Sequence, residues 1–242
     1  MEIKSTIYRY PLALFFALSL SAQTSLHFGS LEISKVDANE IQLRRGSQRW
    51  RIDLTNLIRV NDCYQNYTGN GDERICTGPP KSPCPQCPEK MVGVVAWDEH
   101  LRKLYFSIGN GGWQGRPWTV FNYNLATHRV TRFNTTFANF IGRGAVSPSG
   151  RYLAYVQVFH CSAAAEGHCT SDAIEVMDLW NRRTASPTPD LAPDHDVVRI
   201  QNLRWSTPSK VEYKGSVQLF KPEPQPERPM EGSINVGSLQ FH

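Results

Sequence analysis

The sequence predicts an all-β chain assembled from a repeated four-strand unit, and three observations carry that prediction. First, Val94–Gly109 (VVAWDEHLRKLYFSIG), Gly144–Val158 (GAVSPSGRYLAYVQV) and Leu203–Tyr213 (LRWSTPSKVEY) each run apolar strand, tight polar turn, apolar strand. Their turns fall at Trp97, Ser147 and Ser206, a spacing of 50 and then 59 residues. Second, a further phrase follows two of them, Thr119–Val130 (TVFNYNLATHRV) and Ala173–Thr184 (AIEVMDLWNRRT). A weaker copy, Trp50–Val60, stands near the N-terminus behind its own hairpin, Ile33–Arg45. Third, hardly any window has a helical period. Even Leu125–Val130 reads as a turn, because β-branched and aromatic residues crowd both flanks. Such a unit cannot bury both faces alone, so the units must stack. That predicts a small or partial β-propeller of three to four antiparallel blades with disulfide-stapled loops.

In chain order, Lys4 and Arg9 lead into the uncharged, mostly apolar Pro11–Leu20, with small residues Ser19, Ser21 and Ala22 at its end. The run is well short of the roughly 20 residues a spanning helix needs. It fits a signal peptide over residues 1–22, cleaved near Ala22. The expectation is a periplasmic or secreted protein, with no membrane insertion after cleavage and a single β domain over 23–242. Residues 24–60 alternate apolar and polar positions over three strands, Leu26–Ile33, Ile41–Leu43 and Trp50–Leu54. Residues 61–90 carry Pro or Gly every few positions and read as a loop insertion. Four-strand patterns fill 91–133, broken by the loop Gly109–Pro117, and 139–185, which ends in the turn Ser186–Asp190. Residues 198–220 open another unit. The Pro-rich Lys221–Pro229 then leads to a last run, Ser233–Phe241, expected to pair with Leu26–Ile33 and cover an open edge.

Without residues 1–22 the chain keeps 24 basic and 21 acidic residues, dispersed rather than massed with aromatics, so no nucleic-acid partner is expected. Six cysteines behind an export signal predict disulfides. Cys161 and Cys169 flank the loop CSAAAEGHC between two strands, and bridging them would add about 2–3 kcal/mol. Cys63, Cys76, Cys84 and Cys87 share one Gly/Pro/Asn-rich excursion, and their pairing stays open. Cys84 and Cys87 have a spacing seen in redox and zinc sites. Prolines surround the pair, however, no βαβ pattern is near, and Cys63 and Cys76 form no second close pair. Structural disulfides are therefore expected, with no metal and no other cofactor.

The phrase AVSPSGRYLAYV (Ala145–Val156), followed by Ile174–Arg183 (IEVMDLWNRR), resembles the repeats of TolB-like, or WD40-like, β-propellers. Ser149 stands where those repeats carry Asp, and Gly150 keeps the turn. The unit at Trp97–Leu104 retains Asp98 of the tetrapeptide, whereas Ser206–Ser209 has lost the Gly. The resemblance implies four-stranded blades and no catalytic residue, because the repeat is a packing motif.

The loop Gly109–Trp118 (GNGGWQGRPW) supplies the candidate ligand-binding residues, Trp113, Arg116 and Trp118. Flat aromatics stack on sugar or peptide, and glycines let a ligand approach the backbone. The plainer reading puts Trp118 in the core and Trp113 over a neighbouring loop. Two acidic turns, Asp190/Asp194/His195/Asp196 and Asn70/Asp72/Glu73, lack the register of a calcium loop and read as solvated. No catalytic residue is expected. The chain has no Gly-x-Ser-x-Gly elbow and no His-Glu-x-x-His, and its histidines are scattered over different turns. Together these readings predict a non-enzymatic protein that binds a macromolecular partner, a protein first, through its loops. An inhibitor or immunity-type protein and an accessory subunit of an envelope complex both fit that class. The alternative is an extracytoplasmic glycan-binding or glycan-cleaving enzyme using the Trp113/Trp118 loop.

Overall fold

The structure, a computed structural model, describes residues 26–55, 57, 90–110, 116–138, 140–160, 170–187, 197–218 and 226–242. Those residues form four antiparallel sheets. The first contains β1 (Leu26–Phe28), β2 (Leu31–Val36), β3 (Glu40–Arg45) and β4 (Gln48–Asp53). The second contains β5 (Lys90–Asp98), β6 (Lys103–Asn110), β7 (Arg116–Asn124) and β8 (Arg129–Ala138). The third contains β9 (Phe140–Val146), β10 (Tyr152–His160), β11 (Thr170–Asp178) and β12 (Arg183–Ala185). The fourth holds only β13 (Val197–Thr207), β14 (Lys210–Gln218) and β15 (Arg228–Asn235). Within each sheet, strands adjacent in sequence are adjacent in space. The chain is all-β and propeller-like, as its repeats predict.

The expected strand Leu26–Ile33 is two strands. Gly29 has φ +58 and breaks the extended run, so β1 folds back on β2 with Leu26 opposite Ile33. A left-handed backbone of this kind favours glycine.

Alternation along the strands decides which sheets stack. On β6, Leu104, Phe106 and Ile108 join Leu31, Ile33, Ile41, Leu43 and Ile52 in a core between the first and second sheets. Tyr105 points the other way, into a core with Leu153, Tyr155 and Met177 of the third sheet. Ala154, Ile174 and Val176 then face Val211, Tyr213 and Ile234 of the fourth. This is the period-two geometry of a strand buried on both faces. Side chains of β11 also clamp β13: Ser171 Oγ accepts from the Val198 amide at 3.0 Å and Asp172 Oδ2 from the Ile200 amide at 2.7 Å. Among the described residues, no core cluster joins the first sheet to the fourth. The stack is open.

Short turns gather at one end of the stack. Arg45, beside the β3–β4 turn, pairs with Glu99 of the β5–β6 turn. Gly150 of the β9–β10 turn has φ +70, and a Cβ there would lie 2.7 Å from Leu101 Cδ1 of the β5–β6 turn. The positive φ strains any side chain there, and Leu101 would have to shift to make room for one. Trp205, next to the β13–β14 turn, donates from Nε1 to the Ala145 carbonyl at 2.8 Å.

The repeat is visible in hydrogen bonds as well as in letters. At the end of the third strand of a unit, Asn124 Oδ1 accepts from the Ala126 amide (2.8 Å), and Asp178 Oδ1 from the Trp180 amide (2.9 Å). The residue between them donates to the preceding turn, Leu125 to the Arg102 carbonyl and Leu179 to that of Arg151. His128 and Arg182, with φ 56 and 57, then lead into β8 and β12. Asn235 begins the same turn, with Gly237 donating to its Oδ1 and Val236 donating to the Ser209 carbonyl. No fourth strand follows on β15. The chain makes a 3-10 turn, Val236–Ser238, and crosses to the third sheet, where His242 and Thr184 exchange backbone hydrogen bonds of 3.0 and 3.1 Å. The expected pairing of Ser233–Phe241 with Leu26–Ile33 is therefore corrected. Leu239 and Phe241 find apolar cover on the third core instead. Trp50–Val60 begins the same turn as far as the described residues go: Asp53 Oδ1 accepts from the Thr55 amide (2.9 Å) and Leu54 donates to the Asn39 carbonyl (2.7 Å), although β4 stands fourth in its sheet rather than third.

Candidate functional site

Of the three ligand-binding candidates, Trp113 lies outside the described residues and Arg116 is placed as the first position of β7, opposite Ala138. Trp118 is fully buried. Its indole packs edge-on against Phe140, with ring centroids 5.3 Å apart at 82°, and fills the space a side chain at Gly109 would occupy. A Cβ at Gly109 would come within 2.4 Å of the ring. Among the described residues, the buried indole Nε1 has no hydrogen-bond partner. Trp118 is thus a core residue, the reading its sequence context left open beside binding. Cys63, Cys76, Cys84, Cys87, Cys161 and Cys169, the signal segment and both acidic turns lie outside the described residues.

A different aromatic set is assembled at the turn end. Asp178, 3% exposed, gathers the Trp180 amide (2.9 Å), the Asn181 amide (3.2 Å) and the Asn181 side chain (3.0 Å). Its Oδ2 also accepts from Arg151 Nη2 at 2.8 Å and Nε at 3.2 Å. Burial pushes this carboxyl up, but the Arg151 guanidinium and the turn amides outweigh it and hold Asp178 below its ordinary value. The two-pronged contact fixes the plane of the guanidinium. Arg151 then lies over the rings of Trp180 (5.2 Å) and Tyr152 (4.9 Å). Tyr152 in turn stacks on Trp205 (6.1 Å, 20°) and Phe241 (5.9 Å, 23°).

Each ring has its own anchor: Trp205 through its indole N–H, Phe241 through the Thr184–His242 pairing, Trp180 through the Asp178 turn. Trp180 is nevertheless 70% exposed. The result is a preorganised aromatic–guanidinium platform between the third and fourth sheets. Sequence reasoning passed over it in favour of the glycine-rich loop. The available signal was Trp180 itself, at the turn position that its counterparts give to Ala126 and Gly237.

The two terminal faces of the stack are charged. On the first sheet, Glu40 accepts from Lys35 at 2.6 Å and Gln42 at 2.8 Å and pairs with Arg51, while Arg44 pairs with Glu32 at 3.0 Å. Hydrogen bonds from Lys35 and Gln42 hold the Glu40 carboxyl below its ordinary value. On the fourth, Arg204 pairs with Glu212 at 2.9 Å and Lys214 with Glu231 at 3.2 Å. A groove of about 420 Å³ runs over each face. Among the described residues, no group of three or more His, Cys, Asp or Glu side chains is arranged to hold a metal ion.

No protein-family model matches the chain, and no curated protein matches it. Among solved structures it is similar to a point mutant of the Synechocystis apocarotenoid oxygenase, with a TM-score of 0.40 and 10% identity over 90% of this chain and 47% of that one. A chimera of that oxygenase with RPE65 gives the same score and identity over 90% and 46%. The tricorn protease gives 0.27 and 9% over 77% and 23%. The chain thus spans about half the length of the first two. At these scores the likeness bears on no residue's chemistry.

Proposed function

We propose that this is an exported, non-enzymatic propeller-like protein that binds a protein partner, with the Trp180/Arg151 platform at the centre of the contact. The single observation behind this reading is a tryptophan stacked on an ion-paired arginine yet 70% exposed. Trp, Tyr and Arg carry a disproportionate share of binding energy at protein interfaces, and a preordered side chain loses little freedom on binding. An inhibitor or immunity-type protein and, following the TolB-like resemblance, an envelope-complex subunit are the forms this function would take. The alternative, a glycan-binding or glycan-cleaving enzyme built on Trp113 and Trp118, loses its second ring to the core.

Site-specific photo-crosslinking in the source cell tests the proposal. A crosslinker at position 180 gives one discrete protein adduct that a crosslinker at exposed Ser47 does not. Trp180→Ala in a chain crosslinked through Asn181 loses that adduct. Equal labelling from both positions, or glycan turnover by the purified protein, overturns it.

A further inference from the structure

We infer that the outer edge of the fourth sheet, β15, receives an extended strand from a partner protein of basic, alternating character. This second contact surface goes beyond the platform reading and stands without it. The first three sheets carry four strands each and the fourth carries three. The turn that precedes a fourth strand is nevertheless begun: Gly237 donates to Asn235 Oδ1 and Val236 to the Ser209 carbonyl, as before β8 and β12. The chain departs only at Leu239, which bonds back to Val236 where His128 and Arg182 close onto Asn124 and Asp178. The residues beyond it are spent on the third sheet, where His242 pairs with Thr184. On its inner side β15 pairs with β14 without a bulge, from Lys210 opposite Asn235 to Val217 opposite Arg228. Among the described residues nothing pairs with its outer side. An edge strand points alternate N–H and C=O groups outward, and bulges and prolines are the usual means of blunting it. Here Pro229 blunts only the start, leaving Met230–Asn235.

Side chains state what would fit. On the exposed face charges alternate across the strands: Arg204 against Glu212, Lys214 against Glu231. Glu231, with a side chain 75% exposed, is the last member of its row, and a lysine or arginine opposite it continues the alternation. On the other face Ile234 is buried and Met230 half-buried against the third core, so the incoming strand needs apolar residues at alternate positions. A second copy of this chain does not meet that pattern. Antiparallel pairing of β15 with itself about a two-fold axis normal to the sheet keeps faces, so Glu231 would meet Pro229, Glu231, Ser233 or Asn235 and never a cation.

The probes are two eight-residue peptides alternating valine and threonine, one with a central outward lysine and its twin with glutamate. Each is titrated into the isotope-labelled full chain, and backbone shifts and amide exchange are read at Met230–Asn235. The expected result is slowed exchange confined to alternate amides of β15, with the lysine peptide about 2–5-fold tighter than its twin. Glu231→Lys, at an exposed position, reverses that preference, with a small loss of thermal stability because the new ammonium stands opposite Lys214. Four outcomes each overturn the inference: no response of β15 to either peptide, or equal binding that Glu231→Lys does not alter. Outward β15 amides as protected in the free protein as those of β14, or self-association through β15 in sedimentation, do so as well. The crosslinking at position 180 reads a different surface, so the two readings fail separately.

Discussion

Replacing Trp118 separates the two meanings that a tryptophan beside a glycine-rich loop can have. The side chain is fully buried, and a ring of this size covers about 150–250 Å². At about 25 cal/mol per Å² that corresponds to about 4–6 kcal/mol of transfer free energy, and truncations of buried aromatics measure about 3–5 kcal/mol. Trp118→Ala is therefore expected to cost about 4 kcal/mol in urea unfolding at neutral pH, a large share of the stability of any single domain. Trp118→Phe is the informative partner. It retains the edge-on contact with Phe140 and deletes a buried indole N–H with no acceptor among the described residues, a group whose desolvation costs about 1–3 kcal/mol. That gain offsets much of the lost volume, so the net cost is expected near 1 kcal/mol, with an unchanged denaturant slope. Gly109→Ala drives a methyl into the same ring and costs about 1–3 kcal/mol. The reasoning fails if Trp118→Ala costs under about 1 kcal/mol, because a ring so easily lost is a surface platform. It fails equally if phenylalanine is no better than alanine.

The remaining predictions concern the turn end and the joints between sheets. Trp180→Ala leaves unfolding free energy within about 0.5 kcal/mol of the parent, as an exposed side chain should, while abolishing the adduct formed through a crosslinker at Asn181. Asp178→Asn costs about 1–3 kcal/mol at neutral pH, because the Arg151 contact and the turn lose their charged acceptor. The folded pKa of Asp178 lies below its ordinary 3.8, so its contribution is present above that pH and fades as pH falls through the folded value; the variant and parent unfolding curves converge in acid. Asp172 runs the other way. Burial raises its carboxyl, only partly countered by the Ile200 amide and Arg199, so its contribution is held below pH 3.8 and lost as pH rises through the folded value. Asp172→Asn, which keeps an acceptor for Ile200, therefore gains on the parent as pH increases, read from unfolding midpoints between pH 3 and 7. Phe241→Ala unstacks Tyr152 and loosens the crossing to β12, at a cost of about 2 kcal/mol with faster amide exchange at Thr184.

Hairpins were legible in the sequence because each joins local alternation to a turn whose residues answer a local steric need. Ser147–Gly150 is the clearest case: Ser147 Oγ accepts from Tyr152 N at 3.0 Å, and Gly150 supplies the positive φ. Asn124 and Asp178 are similar, since a short acceptor side chain two residues before an amide is readable in one dimension. What escaped was whatever depends on a partner distant in the chain. Leu239 and Phe241 look like the end of a closing strand, and only the presence of Tyr152 and Thr184 in space turns them toward the third sheet. Trp118 and Trp180 illustrate the same limit. Both follow strand-like phrases, yet one faces Phe140 across two sheets and the other caps an arginine at a turn tip.

Why the stack ends where it does follows from the same alternation. The middle sheets carry strands with apolar residues on both faces, such as LYFSI in β6 and LAYV in β10, so each must be covered twice. The terminal sheets alternate apolar with charged, as in LEISKV of β2 and KVEYK of β14, and need covering once. Extending the stack would bury the Glu40–Lys35–Arg51 network or the Lys214–Glu231 row. Taking such pairs out of water costs several kcal/mol per ion, which new apolar contact on a face without apolar side chains cannot offset. Charge therefore closes both faces of the stack to a further sheet. Growth remains open in the plane of the fourth sheet, where β15 ends three strands in a row that its neighbours complete with four, and it costs no charge its water.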